Sequence, residues 1–354
     1  MMKNSNYVIN SLNDSRLGLC SSRYRGGGRI NYLDALKCLG ILLVVEGHVR
    51  KAGMGQVIYD SVSGLMLYSF NMPLFFFVSG FLAYKAEITT NQLVNKLAQK
   101  FTFLVIPAIV FFVYSCLLHH ENPFCFIWDG FDGYWFTICL WYCFVLYYII
   151  VLMLPDNKFR DMVLIGIAIL GVLFLSFVGN YGPKILDLNR LTKYFQFFVL
   201  GILAVKYRNF YYNIIQSELL KAMVMLLFFG LLFTINYDFW PKPVFHLLRD
   251  IVLRYLGTFA VVAWFVCHAK MFDRDSRFMK VLLNIGQKSL SIYLLHYFFF
   301  PDITCLKSWF AEYGGITIYV ISFIYTIAIT ITSYIFILFL SNSKFVKKYV
   351  LGQK

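Results

Sequence analysis

Ten apolar runs, each close to the length of a membrane-crossing helix, dominate this chain: roughly 33–49, 65–84, 101–119, 134–154, 162–179, 191–205, 218–236, 247–268, 281–300 and 316–341. A hydrocarbon core about 30 Å thick needs about 17–25 helical residues at 1.5 Å each. Most runs meet that length; the first and sixth are short and interrupted by polar groups. They are continuous rather than alternating in polarity, which favours helices over a β-barrel. Composition agrees, with 60% apolar and 14% charged residues, against about 25% charged in an average soluble chain. The expected fold class is therefore all-α: a polytopic membrane helical bundle of about ten transmembrane helices. A soluble enzyme is excluded, and the loops are too short to hold a separate soluble domain.

The formal charge of +14 sits mostly between the runs. With the N-terminus in the cytoplasm, inner segments hold 20 Lys and Arg and outer segments 7, which predicts both termini inside. Residues 1–29 read as a polar cytoplasmic tail with no apolar core of a cleavable signal, 30–341 as the membrane-embedded domain, and 342–354 as a basic cytoplasmic tail. A basic excess explained by topology gives no reason to expect nucleic acid. The cysteines form no CxxC pair and no Cys/His zinc spacing, so no metal is expected.

Ionisable groups inside the runs are the informative exceptions, since each costs about 2.5–3.5 kcal/mol at a membrane helix centre on insertion scales. The first run and its edges hold Asp34, Lys37, Glu46 and His48. Asp34 and Lys37 are spaced to pair on one helix face; a boundary pair with a snorkelling lysine accounts for them equally well. Lys37 and His48 are eleven residues apart, nearly three turns, so they share a face about 16 Å apart along the axis. A histidine in such a run is ordinarily a hydrogen-bonded core residue. One aligned with a cation at the entrance and next to Glu46 has the character of a reaction centre, suited to proton abstraction from a hydroxyl. The second run contains Asn71, Pro73 and the small pair Ser79-Gly80, features of close helix packing or of a cavity wall. In the ninth, Gly286, Ser289, Tyr293 and His296 make a polar stripe at helical spacing. There His296 reads as a hydrogen-bonded structural residue as readily as a substrate ligand.

In order along the chain, these segments resemble acyltransferase family 3, polytopic bacterial enzymes that O-acylate surface polysaccharides and related sugars. Asp34-Ala35-Leu36-Lys37 followed by His48 is similar to the family's Asp-x-Leu-Arg, ten residues, His signature, with Lys where the family has Arg. Met72-Pro73-Leu74-Phe75-Phe76-Phe77-Val78-Ser79-Gly80 matches its second-helix motif, with Asn71 where many members carry His. Tyr134-Trp135-Phe136, Phe197-Phe198-Val199-Leu200-Gly201 and Gly286-x-x-Ser289-Leu290-x-Ile292-Tyr293-x-x-His296 follow. The family's Arg-x-x-Arg before a proline is reduced to Lys100 and Phe103 ahead of Pro107.

The resemblance implies transfer of an acyl group, most often acetyl, from cytoplasmic acyl-CoA to a sugar hydroxyl in the bacterial inner membrane. Acyl-CoA would be a co-substrate, with no permanently bound cofactor; the other partners would be the lipid bilayer and a carbohydrate or glycolipid acceptor. His48 is then the expected general base, with Glu46 or Asp34 orienting groups nearby. Lys37, Lys96 and Lys100 would meet the CoA phosphates. Asn71, Ser79 and Tyr293 are candidate oxyanion donors, and Trp135, Ser289 and His296 complete the expected substrate contacts. The alternative class is a secondary transporter or flippase for a sugar-linked or lipid-linked substrate, which also buries charge but often shows an internal repeat. The signature of the first run does not recur in the second half.

Overall fold

An apolar chain in lipid must pair its backbone internally, and the helix does so within one segment. The computed structural model describes residues 30–55, 61–131, 133–178, 188–234, 243–300 and 316–353; the tail expected over 1–29 lies outside them. Each of the ten apolar runs is mostly helical where it is described. The helices are α1 (Asn31–Met54), α2 (Val62–Ala83), α3 (Thr90–Lys100), α4 (Ile106–Leu118), α5 (Trp135–Met153), α6 (Lys158–Val178) and α7 (Leu188–Lys206). They continue as α8 (Arg208–Gln216), α9 (Glu218–Phe233), α10 (Pro243–Cys267), α11 (Arg277–Gln287), α12 (Ser289–Leu295) and α13 (Ile316–Leu340). A π-helical turn, Phe101–Val105, joins α3 to α4. Polar caps set several starts: Ser61 accepts from Gly64 N, Ser276 from Met279 N, and Thr89 with Gln92 forms a capping box on α3.

Five of these segments are long and apolar enough to cross a membrane: Val62–Ala83, Thr90–Leu118, Trp135–Met153, Leu248–Cys267 and Ile316–Leu340. The pair α8–α9, bent by 71°, would make a sixth. This is fewer than the ten spans expected, and for two helices the reason is polarity. Helix α1 carries Asp34, Lys37, Glu46, Arg50 and Lys51, and the first half of α7 carries Asn189, Arg190, Lys193 and Gln196. Both are wrapped by the others: α1 packs on α2, α11 and α13, and α7 on α2 and α6. Lipid-type side chains such as Leu117, Met153, Leu170, Leu226, Phe323 and Phe339 stand on the outside. The protein is a multi-pass helical membrane protein.

Among the described helices the most extensive packing joins α2 to α7, and two glycines make it possible. A Cβ on Gly80 would lie 1.9 Å from the Phe198 carbonyl oxygen, and one on Gly201 would lie 2.1 Å from that of Phe77. Each helix therefore presses its backbone into the other at a position with no side chain, as the small pair at 79–80 led us to expect.

The end of the bundle that holds Lys37 is tied by a charge network with no counterpart in the sequence reading. Arg160, only 1% exposed, donates to the carbonyls of Ala86 (2.8 Å) and Lys85 (3.4 Å) and pairs with Asp156. Lys206 bridges Asp156 and Asp161, at 2.7 Å each, and the Tyr84 hydroxyl donates to Asp156 at 2.7 Å. Four segments are joined: the exit of α2, the α5–α6 loop, the start of α6 and the end of α7. Burial would raise the Asp156 carboxyl pKa, but hydrogen bonds from Lys206 and Tyr84 and the charge of Arg160 outweigh it, and the pKa is lowered.

Two outcomes are expected. Gly80→Ala forces α2 and α7 apart and should lower the stability of the detergent-purified protein by about 1–3 kcal/mol, read as a fall in its thermal midpoint; an unchanged midpoint would mean that the crossing relaxes freely. Because the folded pKa of Asp156 lies below the unfolded value of about 3.9, its stabilisation is complete above that value and is lost as pH falls through the folded pKa. Thermal midpoints should therefore drop on acidification through that range, and Asp156→Asn should lower the neutral-pH midpoint while flattening the acid limb.

Candidate functional site

Helix α1 carries functional groups at both ends, and a cavity opens at each. At the Lys37 end a cavity of about 250 Å³ is lined by Lys37, Ser79, Lys100, Gln287, Ser289 and Tyr293 among others. At the His48 end a larger one, about 960 Å³, includes His48, Asn71, Trp135, Arg254 and Tyr297 in its wall. Among the described residues Met72 is the one that stands in both walls. It precedes Pro73, whose missing N–H leaves the Ser69 carbonyl without its helical donor at this level of α2.

At the Lys37 end the expected ion pair is present. Lys37 Nζ lies 2.6 Å from Asp34 Oδ1, and Gln287 Nε2 donates to Asp34 Oδ2 at 3.1 Å. Close approach of α11 makes this possible: a Cβ on Gly286 would lie 1.9 Å from the Asp34 carbonyl oxygen. Asp34 therefore holds Lys37 at the cavity wall and lies at the opposite end of α1 from His48. Lys100 lines the same cavity, its ammonium 4.1 Å above the Phe144 ring; Lys96 lines neither cavity. The C-terminal residues close over this end. Ser291 Oγ donates to the Leu351 carbonyl (2.8 Å), and Gln353 Nε2 donates to Ser291 Oγ (2.8 Å).

At the other end His48 meets a residue that the sequence reading did not single out. The Tyr297 hydroxyl lies 3.0 Å from His48 Nε2 and 3.3 Å from Nδ1. His296 is fully buried behind them, its ring centroid 5.2 Å from that of His48 and 4.1 Å from that of Tyr297. The Tyr293 carbonyl lies 2.6 Å from His296 Nδ1, and because a carbonyl can only accept, the proton is on Nδ1 and Nε2 is an acceptor. Tyr297 follows directly on the stripe ending at His296, and that adjacency was the available signal. Tyr293 lines the smaller cavity, but its hydroxyl donates to the Gly133 carbonyl at 2.6 Å. Of the three candidate oxyanion donors, Asn71 is the one in the same cavity as His48.

Glu46 faces elsewhere. Residues two apart on a helix point about 200° apart, so its nearness to His48 in sequence turns it away in space. Its carboxylate accepts from Arg50 Nε (2.6 Å), Ser322 Oγ (2.7 Å) and Thr326 Oγ1 (2.6 Å). Ser322, Thr326, Thr330 and Ser333 form a buried polar stripe on α13, and Glu46 clamps that otherwise peripheral helix to α1. Nothing in the run at 316–341 marked this stripe, because hydroxyls are common in membrane helices. Among the described residues no group of three His, Cys, Asp or Glu side chains could hold a metal ion.

Set beside known proteins, the chain matches the family model of an acyltransferase domain, acyltransferase family 3, over residues 30–335. The chain belongs to that family. No curated protein and no solved structure matches it. The match takes in both cavities and every helix from α1 into α13, so the walls just described are those of a membrane acyltransferase domain.

Removing the Glu46 clamp should be structural in effect. A Ser322→Ala/Thr326→Val protein leaves a buried carboxylate short of two donors, at a cost of about 1–3 kcal/mol. The thermal midpoint should fall in the double variant and fall further with Arg50→Leu; a midpoint equal to the parent's in both would show that water satisfies Glu46 instead.

Proposed function

We propose that this protein is an O-acyltransferase that moves an acyl group, most often acetyl, from cytoplasmic acyl-CoA to a hydroxyl of a sugar or cell-surface glycan precursor. The observation that carries the reading is the pair of cavities meeting at Met72, one with cations at its wall and the other with His48. The cytoplasm is then on the Lys37 side, in line with the distribution of basic residues between the runs. CoA phosphates would stay near Lys37 and Lys100, with Lys96 one turn outside. The pantetheine arm would follow the roughly 16 Å of α1 that separates Lys37 from His48 and bring the thioester past Met72, whose flexible side chain can yield to it.

In this mechanism His48 takes the proton of the acceptor hydroxyl as its oxygen attacks the thioester carbonyl. A carbon–oxygen bond forms, and the carbonyl becomes a tetrahedral oxyanion that Asn71 would receive. Collapse breaks the carbon–sulfur bond, and the CoA thiolate leaves with the proton held on His48. Tyr297 orients the imidazole and occupies the position that a substrate hydroxyl would take at one ring nitrogen. Asp34 acts by positioning Lys37, and Glu46 by holding α1 against α13.

The decisive measurement uses labelled acetyl-CoA with membranes holding the parent protein or His48→Ala, followed by analysis of alkali-labile esters in the glycan fraction. The expected result is label that depends on His48, with transfer by Tyr297→Phe reduced by about tenfold or more. Normal transfer by His48→Ala would overturn the assignment of the base. Absence of transfer by intact parent protein, with acceptor glycans present, would return the transport reading.

A further inference from the structure

The larger cavity carries a charge that a neutral sugar does not call for. Among the described residues, Lys51, Arg190, Lys193 and Arg254 stand in its wall with one carboxylate, Asp250. That carboxylate is paired with Arg249, at 3.1 Å. Among the described residues no carboxylate lies within ion-pair distance of Lys51, Lys193 or Arg254. Lys193 and Arg254 come from α7 and α10 and are partly buried, so their charges are weakly screened by water and repel one another across the cavity. The guanidinium carbon of Arg190 lies over the Trp135 ring, 4.6 Å from its centroid, a cation–π contact at the same wall.

Converging, partly buried cations are costly to maintain unless an anion joins them. Hydroxyl groups alone are served by neutral amide and hydroxyl partners, and these cations would be wasted on them. We propose that the larger cavity binds an oxyanion, a phosphate or a carboxylate, carried by the acceptor next to the hydroxyl that is acylated, with Lys193 and Arg254 as its principal ligands. That this anion belongs to an acyl acceptor rests on the function proposed above; that the cavity binds an anion-bearing sugar does not. The acceptor is accordingly a phosphorylated or acidic sugar. Its charge selects it at the cavity, while its neutral hydroxyl reaches His48.

The test is calorimetric binding to the full-length protein in detergent, using glucose 1-phosphate, glucuronate, glucose and coenzyme A as probes. Glucose 1-phosphate or glucuronate should bind while glucose does not, and affinity should fall steeply as salt is raised. Arg254→Gln and Lys193→Gln should each weaken the charged sugar by about tenfold or more and leave coenzyme A unaffected; Lys37→Gln should do the reverse. His48→Ala should retain sugar binding, so a failure of the catalytic assignment stays separate from a failure of this one. Equal binding of glucose and its phosphate, or salt-independent binding by the unmodified protein, would overturn the proposal. So would loss of coenzyme A binding in Arg254→Gln, which would make this the CoA cavity. No binding of either charged sugar would also overturn the proposal, and Arg254-dependent binding of phosphatidylglycerol, titrated as a fifth probe, would then identify the anion as a lipid headgroup.

Discussion

A charge inside a membrane must be wrapped in protein, and this bundle is arranged around meeting that demand for one helix. Helix α1 holds Asp34, Lys37, Glu46, His48 and Arg50, a set that could not face lipid. Lys37 and Arg50 are paired within α1 by Asp34 and Glu46. The remaining demands are met from other segments: Asp34 by Gln287 at the end of α11, Glu46 by the hydroxyls of α13, His48 by Tyr297 beyond α12. The packing order follows, since the helices that supply those partners must touch α1. The outer helices are freed to be almost wholly apolar.

The same demand explains why the polar residues fall into two groups rather than one. A continuous water-filled channel would satisfy every ionisable side chain, but it would also join the two sides of the membrane. Here Met72 stands between a small cavity with Lys37 and Lys100 and a large one with His48 and the α7 and α10 cations. The α2 backbone beside it is interrupted by Pro73, and a few residues on, Gly80 and Gly201 lock α2 against α7. The neck thus lies beside a backbone-close crossing, which helps keep the two polar regions separate without adding a charged barrier.

What was legible in the sequence was whatever depends on spacing along one helix. Apolar run length marked the helices, three-residue spacing gave the Asp34–Lys37 pair, and eleven-residue spacing put Lys37 and His48 on a common line. The stripe at 286–296 delivered Ser289 and Tyr293 to one cavity wall and buried His296 behind His48. What was not legible joins residues far apart in the chain. Glu46 was read with His48 because they are neighbours in sequence, yet helical rotation hands it to Ser322 and Thr326. Arg160 looked like one more loop cation until the fold placed the carbonyls of Lys85 and Ala86 around it. Lys193 and Arg254 lay in separate runs with nothing to show that they face one cavity.

On the proposed reaction, the division of charge has a chemical consequence. The phosphates of CoA remain at one mouth and the anion of the acceptor at the other, each beside its own cations. Only a pantetheine arm, a thioester and a hydroxyl need to enter the region between, and all are neutral. Charge then develops there only during the reaction itself, on the attacking oxygen and the carbonyl, where a preorganised donor can meet it. A neutral His48 fits that setting, since an imidazolium already present could not accept the proton. Keeping fixed charge at the two ends leaves the middle of the protein suited to a transfer whose reactants are uncharged.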